Sequence, residues 1–187
     1  RRRSRRRRAQ LLPRAIDGAE YASIKQIGPA ALRALGVQTA FTHMEWFARP
    51  DGSVAVSEVG ARPPGAQLAS MIGFSHDIDF YSMWAELVLL GTFSPPDRVY
   101  ATGTAYLRGQ GRGQGRGRVR TVHGVDEMQR ELGHLVVDAR LPRPGQPAST
   151  SYEGEGFVTV RHEDTDVVWA ALDRIIRELR VELVEAE

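Results

Sequence analysis

The 187-residue chain has no cysteine, which excludes disulfides, thiol nucleophiles and thiolate metal sites. Lysine is almost missing too. Lys25 is the only one, and no Gly-Lys-Ser/Thr run exists to cradle a phosphate. No apolar run approaches the roughly 20 residues that cross a bilayer, and no stretch resembles a secretory signal. A cytoplasmic location without a membrane partner is therefore the expectation. There is no Gly-x-Ser-x-Gly elbow, and the five histidines lack the spacing of a zinc helix, so serine-nucleophile and zinc chemistry have no support. The first residue is Arg1 rather than methionine, from which we expect a chain cut from a longer product or lacking its start.

What is present is a composition of 42% hydrophobic and 26% charged residues, ordinary for one globular domain or two small ones. The charge is unevenly placed. Seven of the first eight residues are arginine, and removing them turns the formal net charge from +2 to −5. Residues 1–20 read as a basic tail, and Arg1–Gln10 has too few apolar groups to fold alone. Such a tail can contact nucleic-acid phosphates. It has no aromatic interleaving, which favours a solvated tail. The run RGQGRGQGRGR at Arg108–Arg118 raises the same RNA-binding alternative, against a solvated loop between two strands.

The chain is organised around Phe41–Gln67. Thr42–Phe47 and Ser53–Val59 read as two strands folded back on Pro50-Asp51-Gly52, since Asp-Gly between such runs is a strong hairpin signal. With Asp51 and Gly52 as a two-residue loop, Pro50 pairs with Ser53, Glu45 lies opposite Glu58, and His43 lies opposite Gly60. A three-residue loop would separate the two carboxylates. Opposed like charges on a sheet face are unfavourable without a cation between them, and paired carboxylate oxygens suit Mg²⁺. Arg62 follows on the Glu58 face, where a guanidinium can hold a phosphate or carboxylate. The bland alternative is a solvated hairpin with two exposed glutamates.

His-x-Glu-Trp at His43–Trp46, Asp51-Gly52-Ser53, and SEVGARPPG at Ser57–Gly65 resemble the second half of the ATP-grasp fold. That superfamily includes biotin carboxylase, D-alanine–D-alanine ligase, carbamoyl phosphate synthetase and the L-amino-acid ligases. The resemblance implies that Glu45 and Glu58 bind the Mg²⁺ of ATP, with Mn²⁺ compatible, and that Arg62 faces the nucleotide and the reacting substrate. His43 joins Arg62 as a catalytic candidate. Gly60 departs from the pattern, because an asparagine commonly supplies a further metal ligand there.

The implied fold class is α+β: the C-terminal subdomain of an ATP-grasp fold, an antiparallel sheet with packed helices, then a small α+β C-terminal domain. The implied activity is that of an ADP-forming carboxylate–amine ligase working through an acylphosphate. Its expected partners are small-molecule carboxylate and amine substrates and a missing N-terminal ATP-grasp half, without which the chain is expected to be inactive. A homodimer is compatible, and nucleic acid is disfavoured. The rival classes are a non-catalytic or degenerate ATP-grasp module and an RNA-binding module.

Ser94-Pro95-Pro96 marks the internal boundary, giving domains at 21–94 and 95–187. In the first, a helix is expected over Ile24–Leu35 with Ser23 as cap and a break at Pro29, burying Ile24, Ile27, Ala31 and Leu35. Gly65 is expected to make the tight reversal after the hairpin. Further helices are expected over Ala66–Ile72, stopping at Gly73, and over Asp77–Leu90, with Ile78, Tyr81, Trp84 or Ala85, and Val88 buried. His76 reads as a cap rather than a ligand. In the second domain, strands are expected at Val99–Leu107, Val119–His123, Leu135–Leu141, Phe157–Arg161 and Val181–Val184. Helices are expected at Asp126–Leu132 and Thr165–Arg180. The polar loop Pro142–Gly156 is a candidate lid.

Overall fold

A computed structural model of the protein describes residues 9–110 and 117–185. The expectations for Arg1–Arg8 and for the centre of the Gly/Arg loop lie outside the described residues. In chain order the elements begin with β1 (Ala9–Leu12), α1 (Ala22–Ala34), β2 (His43–Ala48), β3 (Val54–Gly60), α2 (Leu68–His76) and α3 (Phe80–Leu90). There follow β4 (Ala101–Leu107), β5 (Gly109–Gln110), β6 (Arg118–His123), α4 (Val125–Leu132), β7 (Val136–Arg140), β8 (Gly156–His162), α5 (Thr165–Glu178) and β9 (Arg180–Val184). The fold class is α+β. The described residues form two compact units, Ala15–Arg98 and the residues on either side of it.

In the Ala15–Arg98 unit, β2 and β3 form an antiparallel hairpin, and α1 lies against its Met44 face. Gly28 is buried there, and a Cβ at its position would stand 3.8 Å from Met44 Sδ, an ordinary contact distance. Ser23 is inside the helix and not its cap. Its Oγ donates to Gly52 O at 3.2 Å, fastening α1 to the hairpin turn. The expected break at Pro29 does not occur, and α1 runs through it. A proline costs the helix one hydrogen bond, and packing against the hairpin outweighs that loss. Leu35 lies past the last helical residue and is 63% exposed, so it drops out of the expected buried face.

Gly73 does not stop α2, which continues to His76. A Cβ at Gly73 would stand 2.9 Å from Ile78 O, so glycine here allows the next turn to pass close by. The stop is Asp77, in the left-handed region at φ 56°, whose N–H returns to Gly73 O. His76 is not the cap of the next helix but the last residue of α2. Its Nδ1–H donates to Pro96 O at 2.8 Å. Helix α3 starts at Phe80, three residues later than expected, because Asp79 is the cap that accepts from Tyr81 N and Ser82 N. That offset turns the buried face to Phe80 and Leu87 and leaves Tyr81 and Val88 exposed. Phe41 packs between the rings of Phe80 and Phe93, with centroids 5.0 and 4.9 Å away.

The other unit is built on a four-stranded antiparallel sheet in the order β1-β4-β8-β7. Its core is where the α5 spacing puts it: Val168, Ala171, Leu172, Ile175 and Leu179 are buried with Ala101, Ala105, Val158 and Val160. Gly103 lets α5 come close, since a Cβ there would meet Leu172 Cδ1 at 2.5 Å and Val168 Cγ1 at 3.0 Å. A second sheet, β5-β9-β6, pairs β9 antiparallel with β6 and parallel with the two-residue β5.

The expectation that the chain stays unfolded through Gln10 fails at Ala9 and Gln10, which belong to β1. Ala9 and Leu11 pack on the core, and Gln10 Oε1 accepts from the Tyr106 hydroxyl at 2.8 Å. A segment too polar to fold alone can still pair with the edge of an existing sheet. The candidate lid is also corrected. Residues 142–156 are pinned by Glu155, 4% exposed, whose carboxylate accepts from Gly109 N at 2.7 Å and Ser149 N at 2.9 Å. Gly145 N donates to Val119 O and Val119 N to Gln146 O, both at 2.8 Å, so this loop is tied along β6.

Two predictions follow from this packing. Gly103→Val should destabilise the chain by about 1–3 kcal/mol through overpacking, and adding Leu172→Ala should recover part of the loss. Urea unfolding followed by circular dichroism checks both, and additive losses in the double variant would contradict the close contact. The second concerns Asp79, whose carboxyl is held below its ordinary 3.8 by the Ser82 hydroxyl and by the Ser82 and Tyr81 backbone N–H groups. Its contribution is present above the unfolded pKa and is lost as pH falls through the folded one. Asp79→Asn keeps a capping oxygen without the charge, so its Tm should fall less steeply than that of the parent in acid.

Candidate functional site

The hairpin turn has three loop residues, not two. Arg49 N donates to Ser53 O at 2.8 Å and Gly52 N to Arg49 O at 3.0 Å, with Gly52 at φ 80°. Asp51 Oδ1 accepts from Ser53 Oγ at 2.7 Å and Ser53 N at 2.9 Å, which holds its carboxyl below the usual aspartate value. The longer loop sets Ala48 opposite Val54, Phe47 opposite Ala55 and Trp46 opposite Val56, one residue off the two-residue register. A bulge between Glu45 and Trp46 then leaves Ser57 without a cross-strand partner. Beyond it Glu45 faces Glu58, Met44 faces Val59 and His43 faces Gly60. The turn and the bulge each shift the register by one residue, and the two shifts cancel.

Cross-strand partners share a sheet face with Cβ atoms roughly 5 Å apart. Met44 and Val59 are half-buried on the α1 side, so Glu45 and Glu58 project from the opposite face, and both are exposed. Among the described residues neither carboxylate has a hydrogen-bond or ion-pair partner, and the same holds for the His43 ring. Arg62 continues the Glu58 face. Its Nη1 donates to Pro63 O at 3.0 Å, and its Cγ and Nε lie 3.6 Å from where a Cβ of Gly60 would stand.

The reversal into α2 is made by Ala66 and Gln67, at φ 55° and 65°, and not by Gly65, which has no positive φ. Left-handed backbone costs a residue with a Cβ about 1–2 kcal/mol. Pro63 and Pro64 fix the entry to the turn, so the two left-handed residues have to complete the change of direction.

The structure thus brings His43, Glu45, Glu58 and Arg62 to one side of one hairpin. Paired carboxylate oxygens fit a hard divalent cation that keeps waters or phosphate oxygens as its other ligands. Among the described residues no group of three or more His, Asp or Glu is arranged to hold a metal ion, so protein ligands alone do not complete a shell here. The sequence reading missed Ser57, the bulge residue, and Glu155, the buried loop anchor. A serine before the second glutamate carries no signal for a bulge, and Glu155 is marked only by its place in a Gly-Glu-Gly run.

No protein-family model matches the chain, and no curated protein sequence does. Solved structures do match. An L-amino acid ligase from Bacillus licheniformis aligns with a TM-score of 0.75 at 20% identity, over 95% of this chain and 44% of its own. A phosphoribosylglycinamide synthetase from Anaerococcus prevotii gives 0.69 at 16% identity, over 94% and 45%. The N5-carboxyaminoimidazole ribonucleotide synthetase of Thermotoga maritima gives 0.67 at 18% identity, over 94% and 46%. The chain shares the fold of part of each of these ATP-grasp enzymes. The chain spans less than half the length of each of these ATP-grasp neighbours.

Opposed carboxylates without an ion-pair partner among the described residues predict a simple stability result. In metal-free buffer Glu45→Gln or Glu58→Gln should leave Tm unchanged or slightly raised, because each removes a like-charge pair. A marked fall in Tm would show that the carboxylates hold the hairpin together.

Proposed function

We propose that the chain is part of an ATP- and Mg²⁺-dependent carboxylate–amine ligase of the ADP-forming kind. The observation that carries the reading is the exposed Glu45–Glu58 pair, set face to face on an ATP-grasp hairpin with Arg62 beside it and, among the described residues, no protein cation between the carboxylates. On this reading Glu45 and Glu58 would hold Mg²⁺, or Mn²⁺ in its place. Bound there, the ion would draw charge from the β- and γ-phosphates of ATP as the γ-phosphoryl moves.

The residues of this chain supply position and charge. Arg62 presents N–H donors to an oxygen of the substrate carboxylate or of the phosphoryl group, where negative charge develops. His43, two residues before Glu45 on the same face, stands where it can contact substrate. In the proposed reaction a carboxylate oxygen takes the γ-phosphoryl and the bond to ADP breaks, giving an acylphosphate. An amine then attacks the acyl carbon, phosphate leaves, and the nitrogen loses a proton to give the amide. The substrates are a small-molecule carboxylate and amine, and the part of the ATP-grasp fold that this chain does not span would close the site over the nucleotide. Among the described residues no helix is long and apolar enough to cross a membrane, and we place the reaction in the cytoplasm.

The test is ADP release by the gene product that carries this chain, over a panel of amino acids with Mg²⁺. Glu45→Gln and Glu58→Gln should each lower turnover by on the order of a hundredfold or more, with unchanged circular dichroism. Mg-ATP should raise the Tm of the parent more than that of either variant. Full activity in both variants would remove the metal assignment.

A further inference from the structure

The residue between Glu58 and Arg62 on the carboxylate face is Gly60, which is half-buried and sits directly opposite His43. Its backbone does not require glycine, since it has no positive φ. Its surroundings limit size instead: the stem of Arg62 stands at ordinary contact distance, with Cγ and Nε both 3.6 Å from the Cβ position, which leaves room for a Cβ and little beyond it. The guanidinium then turns to Pro63 O, 3.0 Å from Nη1. Arg62 is thus exposed, with its stem over the bare strand and its head on a proline carbonyl. Only one of its five N–H donors is used in that anchoring. The rest stay free for an anion lying along the face that carries Glu45 and Glu58.

We propose that Gly60 is a positioning residue for Arg62: by having no side chain it lets the arginine lie back along β3, where the guanidinium takes a phosphate oxygen beside the carboxylate pair. This inference rests on the reading of Glu45 and Glu58 as a metal–phosphate face. It adds a role for a residue that carries no reactive group. An alanine at residue 60 would meet the arginine stem at ordinary contact distance and should be tolerated. A valine would put its γ-carbons into the volume that the stem occupies, and Arg62 would have to swing away.

The experiment is a double-variant cycle on the full chain, read by isothermal titration. The probes are Mn²⁺ alone and then inorganic triphosphate with Mn²⁺ present. Arg62→Met should weaken triphosphate binding about tenfold, the worth of one hydrogen bond to a charged group. Gly60→Val should weaken it by a similar factor while leaving the Mn²⁺ affinity unchanged, and Gly60→Ala should match the parent. Combining Gly60→Val with Arg62→Met should cause no further loss, because both changes remove one interaction. Parental triphosphate affinity in Gly60→Val, additive losses in the double variant, or triphosphate binding that never depends on Arg62 would each overturn the proposal. Mn²⁺ binding that persists in a Glu45→Gln/Glu58→Gln double variant would instead remove the metal reading. Circular dichroism of Gly60→Val and Gly60→Ala separates misfolding from displacement of the arginine.

Discussion

The register of one two-stranded hairpin decides whether Glu45 and Glu58 share an open face. Side chains alternate faces along a strand, so a slip of one residue would send Glu58 to the side covered by α1. The three-residue turn by itself imposes such a slip. Ser57 undoes it by bulging out of the ladder between Glu45 and Trp46. A bulge adds one residue to one strand and sharpens the local twist. Here it re-aims a carboxylate, and Met44, Val59 and Gly28 keep the opposite face packed against α1.

Around that hairpin, rigidity comes from backbone rather than from ion pairs. Pro63 and Pro64 restrict the chain as it leaves β3, and Ala66 and Gln67 accept left-handed backbone to redirect it into α2. Strain of this kind persists only where the surrounding structure over-determines it. Arg62 stands just ahead of this corner, and its Nη1 donates to Pro63 O at 3.0 Å. Flexible salt bridges would not do the same work, since exposed ion pairs contribute little and shift with salt.

The unit carrying β4 and α5 solves a different problem, that of packing many strands with few large side chains. Small residues on β4, Gly103 and Ala105 among them, let α5 lie close, and Leu172 fills the space they leave. Buried Thr104 and Thr159 satisfy one another across the sheet at 2.8 Å, whereas the buried Thr102 hydroxyl on the same strand has no hydrogen-bond partner among the described residues. Glu155 plays the matching part for the polar loop. A buried carboxylate accepting two backbone N–H groups converts a Pro- and Ser-rich stretch into a fixed edge.

Local chemistry determined what the sequence by itself could show. The α5 core stripe, the β6, β7 and β8 strands and the carboxylate-bearing hairpin all follow from short-range periodicity or turn residues, and the SEVGARPPG run carries the likeness to the ATP-grasp fold. Tertiary structure decided wherever a residue's neighbours lie far away in the chain. Pro29 stays helical because a hairpin packs on α1, Gly73 stays helical because Ile78 must pass close to it, and Ala9–Leu12 become a strand because β4 offers an edge. The pairing of Glu45 with Glu58 belongs to both. Spacing suggested it through a turn one residue too short, and the fold restored it with a bulge, because the Met44 face had to remain against α1.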